Sequence, residues 1–129
     1  MNNEILEALQ AMIGNLIGAE LIIGALPPSG GYALSFVGGA PSATFRDLDR
    51  TVPLPVIFNG KGVSQEKIAA NMNAVHDALT TSKTLPYTDT WQMYAIETTS
   101  YPNMIGREEN GMYIYGSSFS IKYYAKGAN

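Results

Sequence analysis

One histidine, His76, and no cysteine are present in the chain, so a catalytic triad, a histidine base or an ordinary zinc site would depend on a single side chain. On a helix, the neighbouring Asp77 points about a quarter turn away from His76, because adjacent helical side chains do not face each other. The two residues are therefore poorly placed to pair. The sequence favours a histidine on a helix surface, without a catalytic or metal-binding role.

Two pairs of carboxylates, Asp47 with Asp49 and Glu108 with Glu109, lie in segments that predict loops. Paired acids can act as general acid and base where an apolar enclosure separates their two pKa values, and spaced acids with a glycine can bind calcium. Neither pattern surrounds these residues. We interpret them as solvated loop charges, and we predict no enzymatic activity, no metal and no cofactor.

A glycine-rich segment, Gly60-Lys61-Gly62, precedes Ser64 at the start of a predicted helix. Backbone amides at a helix N-terminus can bind phosphate. The segment does not match the G-x-x-x-x-G-K-[ST] pattern of a phosphate-binding loop. A plain connecting loop over residues 59–62 is the favoured interpretation.

Composition restricts the function classes further. The 129 residues fit one domain, are 46% hydrophobic and 15% charged, and carry a formal charge of -3, which gives no basic surface for nucleic acid. The lack of cysteine fits folding inside a cell. The apolar stretch 5–26 lacks the basic start of a signal peptide and is interrupted by Glu7, Gln10 and Glu20, so we expect neither a leader nor a membrane span.

Helical periodicity predicts two amphipathic helices. Apolar residues recur at three- and four-residue spacing over residues 3–17, after which Gly18 is a natural stop. A second apolar stripe predicts a helix that Ser64 caps and that ends near Thr80. The members of this stripe are Ile68, Met72, Val75 and Leu79.

Runs of β-branched and aromatic residues predict strands at residues 21–25, 32–37, 52–58, 91–99 and 112–124. The stretch 42–51 predicts a short strand that leads into an exposed charged loop. The last two strands should form an antiparallel hairpin with a long charged tip, which contains the turn residues 101–103 and 107–111. Because helices and strands do not alternate, the predicted fold class is α+β, with a mostly antiparallel twisted sheet and two main helices packed on one face.

The last predicted strand is rich in aromatic residues, namely Tyr113, Tyr115, Phe119, Tyr123 and Tyr124. They occupy both sides of the strand's alternation, so both faces of the sheet need partners. Two interpretations stay open. Either the helices cover one face and the tyrosine hydroxyls of the other face remain in water, or the tyrosine-rich surface is a protein interface, where large amphipathic rings are favoured.

Several segments, taken in order, resemble a known family. They are Leu21-Ile22-Ile23-Gly24-Ala25-Leu26-Pro27, the turn Gly38-Gly39-Ala40-Pro41, the second helix, and the closing pattern YPN…GMYIYGSSFSIKYY over residues 101–124. In their order, in chain length and in the closing pattern, the sequence resembles the minor capsid or tail terminator proteins of long-tailed bacteriophages. The resemblance spans nearly the whole chain.

The resemblance implies a single tail-terminator-like domain over residues 1–129, in a structural protein of the virion's tail–neck region that is assembled in the host cytoplasm. It implies a homohexameric ring that caps the tail tube, halts its polymerisation and offers a surface to head-completion proteins. It implies no catalytic residue and no membrane partner. It also implies that DNA passes through the channel of the ring without specific binding. The alternatives are another phage neck or tail protein, such as a head-completion or tube subunit, and a small non-phage ligand-binding domain.

Charged loops and the tyrosine-rich strand predict the subunit interface, because loops of mixed charge commonly set register and partner choice. Tyrosine is also enriched at interfaces. The predicted interface residues are Arg46, Asp47, Asp49, Arg50, Arg107, Glu108, Glu109, Tyr113 and Tyr115.

Overall fold

A computed structural model describes residues 2–18, 21–36, 50–82 and 84–125 of the chain. Its elements, in chain order, are α1 (Asn2–Ile17), β1 (Leu21–Ile23), β2 (Gly31–Phe36), β3 (Arg50–Gly62), α2 (Gln65–Thr80), β4 (Trp91–Arg107) and β5 (Tyr113–Ala125). Within the described ranges the strands form one sheet in the order β1-β2-β3-β5-β4. Neighbouring strands are antiparallel except for β1 and β2, which are parallel. The predicted α+β fold with a mostly antiparallel sheet is confirmed.

Both helices form where the periodicity predicts them. In α1 the buried side chains share one stripe, which comprises Ile5, Leu6, Leu9 and Ile13. Ser64 caps α2, since its hydroxyl accepts a hydrogen bond from the backbone amide of Lys67 at 3.3 Å. Such a cap satisfies one of the free amides of the first helical turn.

The two helices and one face of the sheet enclose a single hydrophobic core. On β3 and β5 the residues that face the helices are opposite each other, as in the pairs Leu54 with Ile121 and Val56 with Phe119. All four are at most 2% exposed and belong to the cluster that also contains the buried residues of α1 and α2. The prediction of two helices on one face is therefore confirmed.

The aromatic residues of β5 divide unequally between the two faces of the sheet. Tyr115, Phe119 and Tyr123 are buried in the core, and Tyr113 packs against it. Because these positions are all odd and the pairing of β3 with β5 has no irregularity, they share the helix-covered face. Tyr124, at 40% exposure, is the one of the five that points the other way, so both faces carry aromatic residues, as predicted, but very unequally.

Polar pairs cover much of the opposite face of β4 and β5. Thr99 Oγ1 lies 2.6 Å from Ser118 Oγ, and Lys122 Nζ lies 2.9 Å from Glu97 Oε1. Cross-strand pairs of this kind satisfy side chains on a solvated sheet face.

Residues 59–62, predicted as a connecting loop, instead continue β3 to Gly62. The reason lies in packing, because α2 crosses β3 closely at Gly60. A Cβ atom added at Gly60 would lie 2.9 Å from Met72 Sδ and 3.0 Å from the ring of Tyr32. Glycine in this strand marks a close approach and not a turn. Residues 37–49, which include most of the predicted 42–51 strand and the charged loop, lie outside the described residues.

The β4–β5 hairpin is confirmed, but β4 is longer than predicted. β4 continues through residues 101–103 to Arg107, with register irregularities after Met93, Thr98, Ser100 and Met104. Proline and bulges are tolerated in an edge strand, because its outer side forms no ladder. The tip is correspondingly short. None of the helices in the described ranges combines the length and hydrophobicity needed to cross a membrane.

Candidate assembly surface

An ion pair fixes the tip of the β4–β5 hairpin to the end of β3. Both carboxylate oxygens of Glu108 lie 2.8 Å from the Nζ atom of Lys61. The Lys61 side chain is only 8% exposed, whereas that of Glu108 is 36% exposed. Lysine is rarely buried without a partner. Glu108 therefore neutralises a buried cation, and its interpretation as a solvated loop charge was wrong.

The tip itself is a closed turn. The amide of Gly111 donates to the carbonyl of Glu108 at 2.9 Å, and the amide of Glu108 donates to the carbonyl of Met112 at 2.7 Å. Asn110 Oδ1 accepts from the amide of Met112 at 3.1 Å. Gly111 has a φ of 87°, a conformation that glycine adopts at no steric cost. Glu109 is exposed at the turn, so its carboxylate faces solvent.

Two more of the predicted interface residues are adjacent at the base of the tip. Arg107 pairs with Tyr113 across the hairpin, and its guanidinium carbon lies 5.3 Å from the centre of the tyrosine ring. This is the distance of a cation–π contact. The structure thus brings Arg107, Glu108, Glu109 and Tyr113 together in one ordered, charged group.

The remaining predicted interface residues are elsewhere. Tyr115 is 7% exposed and packs in the core, so little of its surface is left for a partner. Arg50 is the first residue of β3 and pairs with Ala125, whereas the hairpin tip adjoins Gly62 at the other end of that strand. At about 3.3 Å per residue the two ends of β3 are roughly 40 Å apart. Arg46, Asp47 and Asp49 lie outside the described residues.

His76 is buried at 1% exposure, so the prediction of a helix-surface histidine was wrong. Its Nδ1 lies 2.7 Å from Thr98 Oγ1, and its ring stacks on Phe119 with 3.9 Å between centroids. Burial lowers the pKa of His76 from 6.5 to about 4, because a low-dielectric site disfavours the charged form. Among the described residues, no group hydrogen-bonds its Nε2. This geometry is that of a neutral aromatic side chain in a core, with one polar anchor.

Among the residues that the structure describes, no three histidine, aspartate or glutamate side chains come together in a group that could hold a metal ion.

The most exposed apolar surface of the hairpin lies on β4, which is an edge strand of the sheet. Four large side chains of this strand are exposed, and we call them the β4 patch: Tyr94, Tyr101, Met104 and Ile105. An open cleft of about 530 Å³ adjoins Tyr94, and Leu85, Tyr87 and Met93 are among its lining residues. Tyr101 and Met104 lie on the α2 side of the sheet, next to His76 and Gln65, whereas Ile105 lies over Gly116 on the opposite side.

The sequence interpretation missed this patch, although a signal was present. Tyr101, Met104 and Ile105 were assigned to a hairpin tip because Pro102 and Asn103 favour turns. Proline is tolerated in a bulged edge strand as well as in a turn, because neither requires its backbone to donate a ladder hydrogen bond. Large apolar residues next to Pro102 are the signal that would have predicted an exposed apolar edge strand.

Comparisons with known proteins identify a shared fold. No protein-family model matches the chain, and no curated protein matches it. The chain is similar to a chain in the solved structure of the virion of a native gene transfer agent (GTA) particle, with a TM-score of 0.59 and 17% sequence identity. The similarity covers 94% of this chain and 98% of that chain. The two chains therefore share their fold over essentially their full lengths.

Proposed function

We propose that this protein is a structural component of a tailed-bacteriophage virion, where it forms a ring that terminates the tail tube and joins it to the head. The observation that carries the proposal is the fold shared with a virion chain over 94% of this chain and 98% of the other. The resemblance of the sequence to tail terminator proteins, over nearly its whole length, supports the finer assignment. Its place is accordingly the tail–neck region, with assembly in the host cytoplasm.

The β4 patch supports an assembly role in physical terms. An exposed, apolar edge strand carries a risk of aggregation, which proteins usually blunt with charge, proline or bulges. In this chain bulges and Pro102 are present, yet large apolar side chains remain exposed beside them. A structural subunit resolves this conflict because assembly buries the surface. The ordered group of Arg107, Glu108, Glu109 and Tyr113 supplies a polar rim at the end of the same strand.

Charge supports a channel through which DNA moves. Six copies with a formal charge of -3 each would give a ring a net charge of -18. A lumen lined by part of this charge repels phosphates, and a genome can slide through it without being held. The purified protein should therefore show no measurable affinity for duplex DNA at physiological salt. Tight binding that weakens steeply with salt would overturn this argument, because such dependence is the signature of phosphate contacts.

Mass measurement in solution, combined with electron microscopy of tail tubes, tests the assignment. We expect hexameric rings, formed either by the free protein or on tubes, and density for the protein at one end of each tube. Protein that stays monomeric when bound to tubes would refute the ring. Density for the protein along the whole tube would instead indicate a tube subunit. Density on the head side, without contact to the tube, would indicate a head-completion protein.

A further inference from the structure

The chain contains two Asn-Gly dipeptides in opposite surroundings. Asn59-Gly60 lies within β3, the central strand of the sheet, and Asn110-Gly111 lies in the turn between β4 and β5. Asparagine is thermolabile, because the backbone nitrogen of the next residue can attack its side-chain amide carbon. Glycine as the next residue permits this attack best, since it has no Cβ atom to hinder the nitrogen. The surroundings therefore decide which of the two dipeptides reacts.

The hairpin turn gives Asn110 the access that this reaction needs. Asn110 and its neighbour Glu109 are exposed, so water reaches the side-chain amide. A Cβ atom added at Gly111 would have no neighbour within 4 Å among the described residues outside the turn, so open space adjoins the attacking nitrogen. That nitrogen donates to the carbonyl of Glu108 at 2.9 Å. In an exposed turn, water can replace this hydrogen bond and release the nitrogen.

A second hydrogen bond of the turn favours the attack. Asn110 Oδ1 accepts from the backbone amide of Met112 at 3.1 Å. The ring that this bond closes contains both the amide carbon of Asn110 and the backbone nitrogen of Gly111, so one turn holds the two reacting atoms. Attack on the amide carbon places negative charge on Oδ1, and a donor already bonded to this oxygen stabilises that charge. The turn thus contributes both proximity and charge stabilisation.

The surroundings of Asn59-Gly60 oppose the same reaction. Asn59 pairs with Ala33 of β2 on one side and with Gly116 of β5 on the other. Gly60 is buried beneath α2, where an added Cβ atom would lie 2.9 Å from Met72 Sδ. To reach the Asn59 side chain, the nitrogen of Gly60 would have to leave the extended conformation and break the ladder of the central strand. Such opening is rare in a core strand, so the fold protects Asn59.

We propose that Asn110 is a site of spontaneous deamidation, whereas Asn59 is not. The nitrogen of Gly111 bonds to the side-chain amide carbon of Asn110 and loses its proton, while the bond from this carbon to Nδ2 breaks and Nδ2 leaves as ammonia with that proton. Water then opens the cyclic imide at either of its two carbonyls, which yields aspartate or isoaspartate. One amide and one water thus give one carboxylic acid and one ammonia. Each event adds a negative charge to the hairpin tip, next to Glu109.

Peptide mapping by mass spectrometry tests the proposal on the folded protein during incubation at mildly alkaline pH. The tryptic peptides 51–61 and 108–122 contain one dipeptide each and no other side-chain amide. Peptide 108–122 should gain the mass difference between an amide and a carboxylic acid at least about a hundredfold faster than peptide 51–61, because less than about one core strand in a thousand is open. In urea both peptides should change at similar rates. Equal rates in the folded protein, an unchanged peptide 108–122, or a difference that persists in urea would each overturn the proposal.

The identity of the product tests the role of the Gly111 nitrogen. Attack by this nitrogen yields isoaspartate as well as aspartate, whereas direct hydrolysis of the side-chain amide yields aspartate alone. Labelling of the incubated protein by an isoaspartyl methyltransferase should therefore place a methyl group in peptide 108–122. The matched control is Asn110→Gln, which keeps an amide but closes the imide ring far more slowly and should take up no methyl group there. Aspartate as the sole product in the unmodified protein, or equal labelling of the variant, would overturn the proposal.

Discussion

Replacing Glu108 by glutamine should lower the free energy of unfolding by about 1–3 kcal/mol, because it leaves the buried Lys61 ammonium without a counter-charge. Removing one partner of a fully buried ion pair costs about 3–5 kcal/mol, whereas an exposed pair contributes at most about 1 kcal/mol. The pair lies between these limits, since the Lys61 side chain is 8% exposed and that of Glu108 is 36% exposed. Glutamine also keeps one oxygen that can accept from Nζ.

Urea titration monitored by circular dichroism measures this loss. The matched control is Glu109→Gln, which removes the same charge from an exposed neighbour and should change stability by less than about 0.5 kcal/mol. The double variant Lys61→Met/Glu108→Gln should be more stable than Glu108→Gln, because it leaves no buried charge unpaired. Equal stability of the Glu108→Gln and Glu109→Gln variants would refute the role assigned to the ion pair.

Three further predictions follow from other contacts. Burial lowers the pKa of His76 to about 4, so the unfolded chain takes up a proton first as the pH falls below 6.5, and up to about 3 kcal/mol of unfolding free energy should be lost between pH 6.5 and 4. His76→Phe should reduce this pH dependence of the unfolding free energy, measured by urea titration, and an equal pH dependence in both proteins would contradict the prediction. Gly60→Ala should destabilise the fold by about 1–3 kcal/mol through overpacking, and Gly106→Ala, with nothing within 4 Å of the added Cβ, should not; equal thermal midpoints would argue against the close crossing of α2. Arg107→Glu should weaken ring assembly in sedimentation while leaving the circular dichroism spectrum unchanged, and unfolding or normal assembly would show that this rim has another role.

Periodicity was a sufficient guide to the helices because their apolar stripes face one core. The stripe on α2 extends to His76, which lies four residues after Met72 and is buried with it. The sequence interpretation placed His76 on the helix surface although its position belongs to the apolar stripe. A histidine on such a stripe can be buried when its ring stacks on another ring and one nitrogen has a hydrogen-bond partner such as Thr98. Parity likewise places Tyr113, Tyr115 and Phe119 on one face.

The features that could not be predicted depend on contacts between distant segments. Gly60 reads as a turn residue until α2 is known to cross over it. Glu108 reads as a loop charge until the hairpin tip reaches Lys61, 47 residues earlier in the chain. The β4 patch depends on strand order, because residues 101–105 are exposed only if β4 lies at the edge of the sheet. Local sequence specifies none of these pairings.

Removing the protein from assembling particles tests the central claim most directly. If it forms the ring that ends the tail tube, particles that lack it should contain tails of uncontrolled length that do not join heads, because nothing caps the growing tube. Electron microscopy of negatively stained lysates gives the distribution of tail lengths and the fraction of tails joined to heads. Tails of normal length joined to filled heads in its absence would contradict the account.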